Sequence, residues 1–332
     1  MDVATPHFSH LVTVLIIHCL LVSSYTAETS IVTDQSALLA LKTYIISDPY
    51  GLMENWTVPS SICNWIGVTC GARHHRVTAL NISNMDLTGS IPPEIGNLSF
   101  LASFDISTNN FSGALPEDLA RLRRLRFFSL SYNNFSGEVP SWLSSLPQLE
   151  NLTLRNNSFS SINSFLLSTI NQTKLATLTV SFNPFHGEIP KSIGNLHNLK
   201  ELLMEGNGFS GFIPASIMNI SGLETLELSE NLIQGMPEAM GNLDRLKWLN
   251  LEGNQLDGSI PLIIFNISTL ESLSFSSNQL SGTLPGDMCR GVPLLKRLYA
   301  SDNMIHGHIP SSISSCTQLQ FFSVPHNDLT GS

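Results

Sequence analysis

From Val77 onward the apolar residues fall into one recurring pattern, L-x-x-L-x-L-x-x-N-x-L/F-x-G-x-I/L-P. Its first positions are Val77, Leu101, Leu125, Leu149, Leu175, Leu199, Leu223, Leu246, Leu270, Leu295 and Leu319, at steps of 24, 24, 24, 26, 24, 24, 23, 24, 25 and 24 residues. Eleven units in register lie beyond chance, and a fixed period of this size marks a solenoid. Stretches such as VTALNI (77–82) and LKWLNL (246–251) alternate apolar and polar residues, which predicts a half-buried strand in every unit. Paired side by side at ~4.8 Å, eleven such strands would form a parallel sheet about 50 Å long.

An Asn follows each strand, at 109, 133, 157, 183, 207, 231, 254, 278, 303 and 327, with Met85 in its place in the first unit. Backbone groups at a buried corner need partners. An inward amide offers two donors and an acceptor oxygen, which predicts a stacked ladder of Asn side chains. At Met85 the N-terminal segment has to substitute. The stretches LTGSIP (87–92), FSGEVP (135–140) and LDGSIP (256–261) then combine a permissive Gly with a Pro that stops regular helix. They predict an irregular return limb carrying further buried Ile and Leu. No unit can bury its apolar face alone, so stacking makes the core. The unit from Leu149 is long and has Ser161 where Gly is expected, which predicts a local bulge; the unit from Leu223 is short at QGMP (234–237). Ahead of the repeats, Asp34 is placed to cap a helix with Leu38, Leu41 and Ile45 on one face. Asp48-Pro49 would end that helix, and Trp56 and Trp65 would pack over the first coil.

The LxGxIP signature within a 24-residue period is similar to the plant-specific class of leucine-rich repeats. Residues 33–70, TDQSALLALKTYIISDPYGLMENWTVPSSICNWIGVTC, resemble the N-terminal capping domain of plant leucine-rich-repeat receptor kinases. LPGDMCRGVPLLKRLYASDN (284–303) followed by SSISSCTQL (311–319) is similar to the receptor kinases that sense bacterial proteins. The resemblance implies an α/β solenoid: a right-handed superhelix with a concave parallel β-sheet, an irregular or 3-10 convex side and a helical N-terminal cap. It implies a cap over 28–76, pinned by a Cys63–Cys70 bridge, and eleven repeats over 77–332, the last incomplete. It also implies that full-length relatives carry more repeats, a membrane helix and a kinase, so that a membrane is reached only through a C-terminal segment outside this chain. A co-receptor kinase is an implied partner.

Leu11–Val22 is apolar and is followed by Ser23, Ser24, Thr26 and Ala27. It is shorter than the ~20 residues that span a bilayer, so residues 1–27 read as a secretory signal peptide, although His7 and His10 stand where Lys or Arg is usual. The expected location is extracellular, at the outer face of the plasma membrane. Ten N-x-S/T sequons suit that route: Asn55, Asn81, Asn97, Asn110, Asn134, Asn151, Asn156, Asn171, Asn219 and Asn266. Beyond Cys19 in the signal segment, four cysteines remain, an even number that suits disulfides. Cys289 and Cys316 occupy inward slots filled elsewhere by Ile95 or Ile193 and by Leu98 or Leu196. They read as buried free thiols, with a bridge between neighbouring coils as the alternative.

The net charge of −10 leaves no basic surplus to drive binding to nucleic acid or anionic lipid. Phosphate loop, kinase signature and nucleophile elbow are all missing from the sequence, and no cofactor or metal ligand set is expected. RLRRLR (121–126) and the His74-His75 pair read as solvated positions. Candidate function therefore lies on the outward strand positions. Aromatic residues there are Phe127, Tyr132, Phe182, Trp248, Tyr299 and Phe321, a residue class that binding hot spots favour. Glu201, Glu205, Glu224, Glu227, Glu230 and Glu252 make an acidic stretch that Lys200 and Lys247 offset only in part. The expected function is recognition of a peptide or protein, received through a basic part, by a plant cell-surface receptor-like protein or kinase in defence or developmental signalling. The alternatives are a secreted protein resembling polygalacturonase inhibitors and a purely structural wall protein.

Overall fold

The computed structural model describes residues 30–58, 60–169 and 174–331. The apolar segment Leu11–Val22 and the sequon at Asn171 lie outside the described residues. Each unit forms one coil, numbered one to eleven from Val77. Its strand, from Val77–Asn81 in coil one to Phe321–Ser323 in coil eleven, joins one continuous parallel sheet. The register is in phase: Leu226 stands beside Leu202 on one side and Leu249 on the other. The core runs along the axis, and phenylalanines of adjacent coils stack within it, Phe104 on Phe128 at 5.5 Å and Phe185 on Phe209 at 5.9 Å. Most convex limbs are single 3-10 turns opening after the repeat's Pro, such as Lys191–Asn195 after Pro190.

The ladder takes the expected form. In coil seven, buried Asn231 donates from Nδ2 to the carbonyls of Met204, Leu228 and Ser229 at 3.0, 3.1 and 3.0 Å, and its Oδ1 accepts the Phe209 N–H at 3.1 Å. Asn109 serves the first corner, accepting the N–H groups of Met85 and Leu87. The residue just before the ladder position has positive φ in every coil: Asn84, Thr108, Tyr132, Asn156, Phe182, Gly206, Glu230, Gly253, Ser277, Asp302 and His326. This left-handed step turns the chain out of the strand and aims the Asn inward. It costs a non-Gly residue about 1–2 kcal/mol, a cost that the hydrogen bonds of the corner offset.

The cap differs from expectation in two places. Helix α1 (Ile31–Tyr44) begins after Ser30, so Asp34 lies inside it. Asp34 is fully buried and receives Arg76 through Nη2–Oδ1 at 2.6 Å and Nε–Oδ2 at 2.8 Å, plus the Val77 N–H at 2.9 Å. Its carboxylate ties the cap to the first residue of coil one. The helix also stops four residues before Asp48, because Ile45–Ser47 forms a strand antiparallel to Thr88–Gly89. The Asp48 carboxylate instead accepts the N–H groups of Leu52 and Met53, which open the next 3-10 turn. Trp56 and Trp65 are buried and stacked at 5.5 Å, and Cys63 is bonded to Cys70.

In coil four the strand after the ladder shifts register at Phe159/Ser161 and leads into helix α2 (Asn163–Leu167). At the short unit from Leu223 the outer pairing shifts register at Gly211/Phe212, and Phe212 lies against Gly235, where a Cβ would come within 2.7 Å of the ring. The free-thiol reading of Cys289 and Cys316 is corrected: the two are bonded, with Cα atoms 5.0 Å apart. Helix α3 (Met288–Gly291) carries Cys289 next to the 3-10 turn that precedes Cys316, so successive convex limbs bring two inward slots face to face.

Replacing Asn231 with Ala should cost about 2–4 kcal/mol in urea unfolding, because several buried backbone groups lose their partner together. Glu238→Ala on the convex limb should change stability by under ~0.5 kcal/mol. Peptide mapping without reductant should recover Cys63 linked to Cys70 and Cys289 linked to Cys316.

Candidate ligand-binding surface

Strand side chains that turn away from the core line the concave sheet, and their sizes give it relief. Coil nine offers only serines, the buried Ser272, Ser274 and Ser276. On either side stand larger residues: Trp248, Asn250 and Glu252 of coil eight, and Arg297 and Tyr299 of coil ten. The low row between two high ones leaves a hollow of about 430 Å³ lined by Trp248, Asn250, Glu252, Ser272, Ser274, Arg297 and Tyr299. Two strand spacings, ~10 Å, suit one inserted side chain. Trp248 is 40% exposed, with the Arg297 guanidinium 5.9 Å from its ring and 5.8 Å from that of Phe321. Ser274 donates to Glu252 Oε2 at 3.0 Å, which holds the carboxylate at the rim.

The acidic stretch is more compensated than its sequence suggests. Glu224 lies on the sheet's edge, where the second repeat position alternates in sign from Lys200 in coil six to Lys296 in coil ten. Arg126 meets Glu150 at 2.8 Å, Lys247 meets Glu224 at 2.6 Å and Lys296 meets Glu271 at 2.5 Å. Lys247 holds the Glu224 carboxyl below its ordinary range by hydrogen bonding, and Arg126 does the same for Glu150. Exposed pairs of this kind add little to stability, so the row neutralises charge more than it stabilises. Glu205 is met by Arg155 at 3.2 Å. Glu227 is half-buried, accepting the Ser229 N–H and the Asn250 amide, both at 3.0 Å. Burial lifts its carboxyl above the ordinary range; those hydrogen bonds oppose the rise and nearby Glu205 adds to it. Glu201 and Glu230 stay exposed.

The aromatic candidates separate into two groups. Trp248, Tyr299 and Phe321 surround or flank the hollow. Phe127, Tyr132 and Phe182 lie on coils three and five, on either side of coil four. There Arg155 donates from Nε to the Tyr132 hydroxyl at 3.1 Å and lies 4.4 Å from the Phe182 ring. Phe182 covers Gly206, where a Cβ would come within 2.4 Å of the ring, so only glycine fits beneath it. The basic run is not simply solvated: Arg124 stacks on Phe100 at 3.9 Å, and His74 packs on the same ring. The serine row is a signal that sequence reasoning passed over. It was available in the outward positions of ESLSFSSN (271–278).

Among the described residues, no cluster of His, Cys, Asp and Glu is fit to hold a metal, and no helix is long and apolar enough to cross a membrane. Family models described as leucine-rich repeat region, leucine rich repeat and leucine rich repeat N-terminal domain match residues 74–211, 197–256 and 32–71, with further repeat matches at 269–290 and 294–316. The LRR receptor-like serine/threonine-protein kinase EFR of Arabidopsis thaliana is 49% identical over 70 residues, 21% of this chain and 7% of that protein. The crystal structure of PEPR1-AtPEP1 superposes with a TM-score of 0.78 at 33% identity, covering 90% of this chain and 45% of that one. The Arabidopsis receptor kinase HAESA, in complex with the peptide hormone IDA and the co-receptor SERK1, superposes with a TM-score of 0.74 at 28% identity, covering 90% and 54%. The chain thus spans about half of those solved chains and a small part of the curated relative.

Because the folded Glu227 carboxyl titrates above its ordinary range, its protonated form favours the fold. That contribution is complete below the unfolded value and is lost as pH rises through the folded one. Glu227→Gln should therefore gain stability relative to the parent as pH climbs through that window. Parallel pH–stability curves would show the carboxyl to be unshifted.

Proposed function

The chain belongs to the plant leucine-rich-repeat receptor ectodomains, a binding module rather than an enzyme, and from that premise we propose that it recognises an extended peptide, or an extended segment of a protein, on the second half of its concave sheet. The hollow over the serine row carries the reading. It joins an exposed Trp, a Tyr and an Arg, the side chains that dominate binding hot spots, around a floor low enough to admit a side chain. A parallel sheet presents such positions at one spacing from coil to coil, so a ligand in extended conformation can meet several in succession.

Charge sets its polarity. Glu201 is exposed on coil six, and Glu227 and Glu230 follow further along the strand side of coil seven, so a basic residue of the ligand meets carboxylates over coils six and seven while an apolar or aromatic one enters the hollow. The HAESA complex, whose ligand is a peptide hormone, supports a peptide ligand, and its co-receptor SERK1 supports a co-receptor as a second partner. We place the protein on the extracellular side of the plasma membrane, in defence or developmental perception.

A panel of synthetic extended peptides, basic-aromatic against acidic and uncharged ones, tests this by calorimetry. Basic-aromatic peptides should bind, more weakly as salt rises. Ser274→Tyr, which fills the hollow, and the double reversal Glu227→Lys/Glu230→Lys should each weaken binding about tenfold or more, ~1.4 kcal/mol. Equal affinity for all peptides, or unchanged affinity in both variants, would defeat the proposal.

A further inference from the structure

Whether the fold uses a sequon's amide separates the sequons into two groups. Asn55 exchanges hydrogen bonds with Asn64 and Ile66, Asn81 accepts from Ser83, Asn97 accepts from Arg121, and Asn110 and Asn134 bond to one another. Among the described residues, the side chains of Asn151, Asn156, Asn219 and Asn266 take part in no hydrogen bond, so a sugar on any of them displaces nothing. Asn219 and Asn266 end convex 3-10 turns. Asn151 and Asn156 both lie on the strand side of coil four.

Their neighbours are aromatic on both sides. Asn151 is in register with Phe127 of coil three. Tyr132 and Asn133 donate their N–H groups to the carbonyls of Arg155 and Asn156, while Asn156 and Asn157 donate to those of Ser181 and Phe182. Tyr132, Asn156 and Phe182 therefore occupy the same site in three successive coils, an asparagine between two rings. That site requires positive φ, which disfavours bulky side chains, and other coils fill it with Gly, Ser, Thr, Asn, Asp, Glu or His. Yet Tyr132 is 47% and Phe182 37% exposed, so core packing does not account for them.

We propose that Asn151 and Asn156 carry N-linked oligosaccharides whose first sugars lie over Phe127, Tyr132 and Phe182, making coil four a carbohydrate partition across the concave sheet. Each linkage forms in the secretory pathway from a lipid-pyrophosphate-linked oligosaccharide. The Nδ2–C1 bond replaces the C1–O bond to pyrophosphate, which leaves as the amide gives up one proton. A pyranose has an apolar C–H face that suits the electron-rich face of an aromatic ring. The three aromatics then serve the sugars rather than a protein ligand. From coil five onward the concave strands carry no sequon, which leaves the hollow at Trp248 open. Only this consequence for ligand placement rests on the proposed function; the cover over the rings stands apart from it.

The test uses the whole chain secreted from a eukaryotic host. Glycopeptide mapping reads occupancy at Asn151 and Asn156. Hydroxyl-radical footprinting then compares the glycosylated protein with the same protein trimmed by a peptide-N-glycosidase, which removes the first sugar with the rest and leaves Asp, and with Thr153→Ala/Ser158→Ala, which removes both sequons and keeps both asparagines. Oxidation of Phe127, Tyr132 and Phe182 should rise several-fold in the trimmed protein and the variant, with Trp248 and Tyr299 unchanged. An empty Asn151 or Asn156, or equal oxidation of the three rings with and without sugar, overturns the proposal. Should the variant fail to secrete, the trimmed parent decides alone. Peptide binding at the hollow that survives trimming keeps the two proposals separable.

Discussion

The inward asparagine is the constraint on which this molecule depends. A strand that ends inside a core leaves carbonyls and N–H groups with no water to reach, and each such group left unpaired costs about 1–3 kcal/mol. From coil two onward, one amide per coil meets that demand by bonding to its own turn and to the coil before it, as Asn231 does. The corner is therefore completed only between coils, and stacking becomes obligatory. It also dictates the left-handed residue just before each Asn, because only that backbone step aims the amide inward.

Once the corners and the apolar stripe hold the stack, the outward strand positions are released from folding duty. Relief follows from size alone: serines in coil nine, larger residues in coils eight and ten. Charge is arranged with equal economy. Opposite signs alternate along the sheet's edge and cancel in pairs, so the exposed carboxylates of Glu201 and Glu230 stand out against a largely neutralised border.

The fold was legible because its determinants repeat: a period, an alternation and an amide can be counted along the chain. What escaped sequence reading was set by contacts between segments that share no period. Asp34 reads as a cap by its place before an apolar helix, but its partner Arg76 lies 42 residues away and becomes visible only when the cap folds onto coil one. Cys289 and Cys316 sit in slots that look alike and inward; only the placement of α3 against the next convex limb brings them to bonding range. The carboxylates counted as one acidic stretch were divided by which neighbour each meets, Lys247 for Glu224 and Arg155 for Glu205. The alternation along each strand marks the aromatic positions as outward, while their separation into a hollow and a coil-four cluster needed the register.

The Asp34–Arg76 clamp also bears on the order of events at the ribosome. Both residues, and the Val77 N–H that completes the site, lie ahead of the second coil in the chain, so the clamp can close before that coil is made. Coil two then brings Asn109 to complete the first corner, and each later turn can dock on the one before it. Growth by accretion from a closed end spares the nascent chain from ever exposing more than one raw edge.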